Sequence, residues 1–270
     1  MELAAVSTYS IIGKVEQNLA TTIQWIENLA KKNVGFILFP ELNLSGYTKD
    51  VSVIEEALTK KEKTFHTLKK VSAHYIPAFA VGFPEKIGRQ YFIAHFIFEK
   101  GKLVGIHRKT HLSPTEQKTF SPGNSIDVFQ LEKFTLGIQL CFETHFPEIS
   151  YIQAQQGANV LAMAFASPNE TVHEKLERFK RFLCARAYDN ACYVLACNLN
   201  GTTSGGTKFP ELGMIINPKG DVLAKINKAG DAYCLAEFNI EILEHIYQSK
   251  MAHFNRFKRN DFLLKKIKFV

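Results

Sequence analysis

The stretch LGIQLCFETHFPEIS, residues 136–150, decides how the chain folds. Its first five residues belong to an apolar run, residues 134–140, of the kind found in a strand buried on both faces. Cys141 ends that run, and the segment after it favours a helix from about Pro147, because proline is tolerated in a first helical turn. The stretch therefore predicts a strand, a turn at Cys141 and a helix.

The same alternation of buried strands and amphipathic helices continues on both sides. Residues 14–30 and 172–188 place apolar side chains at helical spacing. The other predicted elements are an N-terminal strand, strands at 34–39, 76–83, 158–165, 192–199 and 232–238, two strands within 91–107, a hairpin around Pro218-Lys219-Gly220 and a short helix near 240–248. No Pro/Gly/Ser-rich linker divides the chain, so we expect one α/β domain with sheets covered by helices.

Composition indicates a soluble globular protein. The 270 residues are 46% hydrophobic and 22% charged, and no apolar run approaches the roughly 20 residues of a membrane span. The N-terminus has an acid at position 2 and no basic segment, so we interpret it as a strand rather than a signal peptide. The five cysteines are odd in number and lack CxxC pairing, which favours a reducing, cytoplasmic location.

The net charge of +7 is concentrated at the C-terminus. Residues 250–270 carry seven Lys/Arg and one acid, whereas the other residues carry 26 basic and 25 acidic side chains. A basic tail can bind RNA or an acidic lipid. We favour packing instead, because Phe254, Phe257, Phe262 and Leu263 lie among the charges and dense aromatics seldom stay solvated. We therefore expect a domain over 1–249, a segment over 250–270 that packs on it or on a partner subunit, and no nucleic-acid or membrane partner.

Three chemically distinctive side chains follow three predicted strands. Glu41 comes after residues 34–39, Lys109 after the second strand of 91–107, and Cys141 after 134–140. Sites in open α/β sheets form beyond the carboxyl ends of strands, so we expect these three side chains to converge.

A carboxylate, an ammonium and a thiol together are sufficient for acyl transfer. Glu41 would accept the proton of the Cys141 thiol, and Lys109 would stabilise the thiolate and the oxyanion that forms after attack. If Cys141 lies on a strand–turn–helix elbow, the backbone N–H of Phe142 is a second oxyanion donor.

Three segments around these residues resemble the nitrilase, or carbon–nitrogen hydrolase, superfamily. They are FILFPELNLSGY (36–47), HRKTHL…E…FSPGN (107–124) and LGIQLCFETHFPE (136–148), and the resemblance continues through RAYDNACYVLACNLNG (186–201) and IINPKGDVLA (215–224). The resemblance implies a single-domain, four-layer α-β-β-α sandwich with a catalytic Glu41, Lys109 and Cys141. It also implies homodimers or larger homo-oligomers, onto whose partner subunit the C-terminal segment often reaches.

The resemblance further implies that Glu116 orients Lys109 or the substrate amine. The expected substrate contacts are Tyr47, Glu143, His145 and Phe165. Two features depart from the family pattern, because Glu143 stands where many amidases have aspartate and Glu211-Leu212-Gly213 replaces a common GxS. Both lie where substrate choice is set, so the sequence leaves the acyl and leaving groups open.

The leading hypothesis is hydrolysis of a small amide or N-carbamoyl compound through a Cys141 thioester. A true nitrilase acting on C≡N is the alternative, and a non-catalytic binding or scaffold protein is the alternative of another class. A Cys–His hydrolase using His145 is less favoured, because no orienting motif accompanies that histidine. His107 and His111 have the HxxxH spacing of a zinc site, but that spacing works on a helix and this segment ends a strand. We expect no metal and no cofactor.

Overall fold

The computed structural model describes residues 1–226, 230 and 232–263. Within these residues, one six-stranded sheet contains β1 (Glu2–Ser7), β2 (Val34–Leu38), β3 (Ala78–Ile87), β4 (Gln90–Glu99), β5 (Lys102–Arg108) and β14 (Ala232–Glu237). Their order is β14-β1-β2-β3-β4-β5, with β1, β2 and β3 parallel and the other neighbours antiparallel.

The second six-stranded sheet contains β6 (Val128–Gln130), β7 (Thr135–Leu140), β8 (Val160–Phe165), β9 (Tyr193–Asn198), β12 (Gly213–Ile216) and β13 (Val222–Lys225). Their order is β13-β12-β9-β8-β7-β6, and β7, β8 and β9 run parallel. A short ribbon of β10 (Gly201–Thr202) and β11 (Lys208–Phe209) lies apart from both sheets.

The helices flank these sheets. They are α1 (Val15–Ala30), α2 (Val51–Thr59), α3 (Lys61–His74), α4 (Pro147–Gln155), α5 (Val172–Asn190), α6 (Ile240–Gln248) and α7 (Asn260–Leu263), with 3-10 turns at Cys141–His145 and Phe254–Phe257. The start of α5 is fixed by a capping box, in which Thr171 and Glu174 each accept a hydrogen bond from the other's backbone N–H.

Three apolar clusters define four layers. The central cluster joins the two sheets, with Phe36 and Leu38 of β2 against side chains such as Ile138 of β7 and Leu195 of β9. A second cluster packs the outer face of the first sheet on α1 and α3, and a third packs the outer face of the second sheet mainly on α5. The order is therefore helices, sheet, sheet, helices, which confirms the predicted α-β-β-α sandwich.

The structure also adds elements that the pattern did not predict. Helices α2 and α3 occupy residues 51–74, and only Lys60 separates them. Charged residues in this segment interrupt the helical spacing of the apolar residues. β3 extends to Ile87, beyond the predicted end at residue 83. Within the described residues, no helix is long and apolar enough to cross a membrane.

The C-terminal segment lies over α4 and α5 as far as it is described. The Phe254 ring is 5.5 Å from the Tyr188 ring, and the Lys258 ammonium lies 3.4 Å from the centre of the Tyr151 ring. Phe254, Phe257 and Phe262 nevertheless keep 47%, 65% and 52% of their surface exposed, so one chain alone does not bury them. The Leu263 side chain and residues 264–270 lie outside the described residues.

Candidate active site

The ends of β2, β5 and β7 meet between the two sheets. Lys109 directly follows β5 and is completely buried, and its Nζ donates to Glu41 Oε1 at 2.8 Å. Cys141 directly follows β7, close enough to both residues that their charges shift its pKa. The structure therefore brings the three side chains together, with Glu41 and Lys109 from one sheet and Cys141 from the other.

The loop that carries Glu41 crosses directly over β3. The Asn43 side-chain oxygen accepts a hydrogen bond from the Gly82 N–H at 2.8 Å, and a Cβ at Gly82 would stand 2.1 Å from the Leu42 nitrogen. Only glycine allows this approach. Gly82 therefore lets the loop lie low enough to bury Glu41, which has no exposed surface.

Glu116 holds the ammonium of Lys109 from the other side. Its Oε1 accepts from Lys109 Nζ at 2.8 Å and from the Tyr47 hydroxyl at 2.9 Å, while its Oε2 accepts from the Ser113 N–H at 2.7 Å. Two carboxylates thus fix one ammonium, and Tyr47 fixes one of those carboxylates.

Cys141 occupies a sharp turn between β7 and the following 3-10 helix. Its φ is +46°, a left-handed conformation that is uncommon for a residue with a Cβ. Strained conformations of this kind cluster at functional sites. The Phe142 N–H comes next, in the first turn of a helix, where N–H groups lack partners within the helix.

The backbone N–H of Ala166 also reaches the site. It donates to Glu41 Oε2 at 3.1 Å and lies next to the Cys141 thiol, whose pKa it lowers. Residue types carry no signal for this group, because nearly any residue can supply a backbone N–H. Its position at the end of β8, beside β7, was the available clue.

Burial and charge set the protonation states of these groups. Burial raises the pKa of Glu41 to about 7, although the Lys109 charge opposes this shift. Burial and the Glu41 charge raise the pKa of the Cys141 thiol to about 12. For Lys109, burial lowers the pKa, but the negative charges around it, those of Glu41, of the Cys141 thiolate at high pH and of Glu116, outweigh burial, and the net pKa is raised. At neutral pH the site therefore holds a neutral thiol, a charged ammonium and a carboxyl group near its midpoint.

Three of the four expected substrate contacts are not among the residues that line the two clefts described below. Phe165 is buried against Phe179, with 4.5 Å between the rings. His145 is exposed, and its described ring contacts are with Phe142 and Phe182. Glu143 is completely buried and bonded to backbone and side-chain donors. The 3-10 helix after Cys141 turns Glu143 inward and leaves His145 at the surface, and Phe165 on β8 packs in the outer cluster with α5.

Tyr47 does face open space. Together with Thr48, Asn169, Thr203 and Phe209 it lines a groove of about 580 Å³. Phe142 lines a second, more aromatic cleft of about 530 Å³ with His111, Phe120 and Phe146.

The two histidines of the HxxxH spacing have other partners. His107 is within hydrogen-bond distance of Glu143, and His111 of the Thr110 hydroxyl. Among the residues that the structure describes, no three His, Cys, Asp or Glu side chains are grouped so that they could hold a metal ion.

The site thus holds a buried carboxylate and a buried ammonium beside a partly buried thiol, at the strand ends of a sandwich. The family model for carbon–nitrogen hydrolases matches residues 3–247, so the chain belongs to that family and is a carbon–nitrogen hydrolase. It is 30% identical to a probable nitrilase of Schizosaccharomyces pombe over 84% of each chain, and 28% identical to a 2-oxoglutaramate amidase of Bacillus subtilis over 79% of this chain and 81% of that one. A carbon–nitrogen hydrolase from Helicobacter pylori has the same fold, with a TM-score of 0.89 and 20% identity over 100% of this chain and 98% of that one.

Proposed function

We propose that the protein hydrolyses a small amide or N-carbamoyl compound through a thioester on Cys141. The observation that carries this proposal is the buried cluster in which Lys109 Nζ lies 2.8 Å from both Glu41 and Glu116, next to the thiol. The relatives named as amidases support an amide substrate.

In the first half-reaction, Cys141 Sγ attacks the substrate carbonyl carbon while Glu41 accepts the thiol proton. Glu41 then passes that proton to the leaving nitrogen, the C–N bond breaks, and ammonia or an amine departs. Because the Cys141 pKa is far above neutrality and that of Glu41 is about 7, proton transfer accompanies attack rather than preceding it.

In the second half-reaction, Glu41 removes a proton from water as the water attacks the thioester. The carboxylic acid leaves, and the proton returns to the sulfur. In both steps the carbonyl oxygen becomes an oxyanion, and Lys109 Nζ and the Phe142 N–H are the proposed donors to it. Glu116 and Tyr47 keep the ammonium in place.

A panel of ω-amides, N-carbamoyl compounds and nitriles tests this function through release of ammonia. Turnover of amides or N-carbamoyl compounds supports the proposal. Turnover of nitriles alone identifies a nitrilase, which forms a bond from the same thiol to a C≡N carbon. If the folded protein turns over no member of any class, the proposed substrate class is wrong.

Lys109→Ala is expected to lower kcat by about 10²–10³-fold, with a much smaller change in KM. The ammonium strengthens its contact as the carbonyl oxygen becomes negative, so it stabilises the transition state more than the bound substrate. Steady-state kinetics on a substrate from the panel measure both constants, and thermal unfolding checks that the variant is folded. A folded variant that changed only KM would contradict this role.

We also propose that the chain forms a homodimer or larger homo-oligomer in which a second copy covers the C-terminal segment. Replacing Phe254 and Phe257 with serine, or deleting residues 250–270, should lower the mass measured by light scattering. Neutralising Arg256, Lys258 and Arg259 is the matched control and should leave the mass unchanged. RNA binding with a steep salt dependence that disappears in the neutralised control would instead support a nucleic-acid partner.

A further inference from the structure

Glu143 has no exposed surface, and both of its carboxylate oxygens are occupied. Oε1 accepts from the Thr110 N–H at 2.7 Å and from the Thr110 hydroxyl at 2.6 Å. Oε2 accepts from the Leu140 N–H at 2.6 Å and lies 2.9 Å from His107 Nε2. A carboxylate with four such partners is not available to a substrate.

The partners of Glu143 flank both of the central residues. His107 and Thr110 lie on either side of Lys109, and Leu140 immediately precedes Cys141. β5, which leads to Lys109, belongs to the first sheet, whereas β7, which leads to Cys141, belongs to the second. The Glu143 carboxylate therefore connects the two strand ends across the gap between the sheets.

The electrostatics of this contact favour a charged carboxylate. Burial alone raises the pKa of Glu143, but the His107 charge and the hydrogen bonds from His107 and Thr110 outweigh burial and lower the net pKa. Hydrogen bonds to an ionised group are roughly twice as strong as neutral ones, so the connection is stiff.

We propose that Glu143 is a positioning residue that fixes Lys109 relative to Cys141, and that it does not bind substrate. The inference rests on the proposed hydrolysis at Cys141. The oxyanion donor and the nucleophile come from different sheets, so sliding of one sheet end against the other would misplace the ammonium. A misplacement of about 1 Å can cost on the order of 10²-fold in rate.

Glu143→Gln tests this role with little change of shape. In either orientation, the new amide NH₂ faces a backbone N–H, that of Thr110 or that of Leu140, which cannot accept a hydrogen bond. We expect kcat per reactive Cys141 to fall about 10–100-fold while KM stays within about twofold. Alkylation of Cys141 by iodoacetamide, followed on its own peptide by mass spectrometry, should slow far less than hydrolysis, because that reaction forms no oxyanion and depends on Lys109 only for stabilising the thiolate.

Glu85→Gln is the matched control. Glu85 is also buried and accepts from Arg108 at 2.6 Å, one residue before Lys109, but its described ion pairs, with Lys61 and Arg108, stay within the first sheet and its helices. We expect this variant to keep native kcat. An equal loss in both variants would show that any buried acid beside β5 has the same effect, which would overturn the proposal.

A folded Glu143→Gln variant with kcat within about threefold of the native value would overturn the proposal, because a misplaced donor costs more. If that variant does not fold, Thr110→Val removes the hydroxyl contacts to Glu143 and His111 but keeps the backbone bond to Glu143. It should lower kcat by about three- to tenfold with KM unchanged. Native kcat in the valine variant would likewise overturn it. Failure of the native protein to hydrolyse any panel compound would show instead that the proposed function is wrong.

Discussion

Replacing Cys141 with alanine is expected to abolish turnover. Removal of the nucleophile from a unit of cooperating residues costs on the order of 10⁶ in kcat, since the remaining groups cannot form the covalent intermediate. Glu41, Lys109 and Glu116 stay in place, so the variant should still bind substrate. Ammonia release measured at high enzyme concentration checks the loss, and calorimetric binding checks that the site is intact.

The other described cysteines supply the control for this prediction. Cys184 lies half-buried on α5, and Cys197 is buried in β9. Cys184→Ala and Cys197→Ala should leave the chemistry intact, although the latter removes packing from the central core. Normal activity in Cys141→Ala would refute the mechanism. A folded but inactive Cys184→Ala variant would indicate that the nucleophile is Cys184 on α5.

Replacing Glu41 with glutamine is expected to lower kcat by about 10²–10⁴-fold, the usual contribution of a general base. Glutamine has nearly the same shape, but its amide does not accept the thiol proton. Cys141 in the variant should still react with iodoacetamide, and faster as the pH rises, because external base then removes the proton. Loss of hydrolysis with retained alkylation separates proton transfer from folding.

The pH dependence of kcat/KM in the native enzyme is a second test of Glu41 as the general base. Glu41 is protonated below its pKa of about 7, so kcat/KM should rise as the pH increases through 7 and the base becomes ionised. The glutamine variant should lack this rise. Native turnover in Glu41→Gln, or an unchanged pH profile, would show that another group accepts the proton.

The fold was largely predictable because its strands are buried on both faces. The apolar runs around β2, β7, β8 and β9 contain few polar residues, so each strand was found within one or two residues of its end. Helices α2 and α3 were not found. In α3 only Phe65 and Leu68 among the apolar residues are buried, and lysines surround them.

The meeting of Glu41, Lys109 and Cys141 followed from strand ends, but the supporting contacts did not. Two facing sheets, rather than one, bring the strand ends together, and the pattern of a sequence does not reveal how sheets face each other. The side-chain direction of Glu143 depends on the left-handed turn at Cys141, which is a three-dimensional property. Glu143 was therefore expected to contact substrate, whereas in the structure it is buried among hydrogen-bond donors.

The proposed thioester on Cys141 can be detected directly. The protein is mixed with a substrate that it hydrolyses and is quenched in acid within milliseconds to seconds. It is then digested, and the peptide that contains residues 136–150 is analysed by mass spectrometry. We expect an added acyl group on Cys141 that disappears with hydroxylamine, builds up before steady state and is absent from Cys141→Ala. Steady turnover with no acyl adduct at any time, or an adduct on another residue, would contradict the proposed thioester.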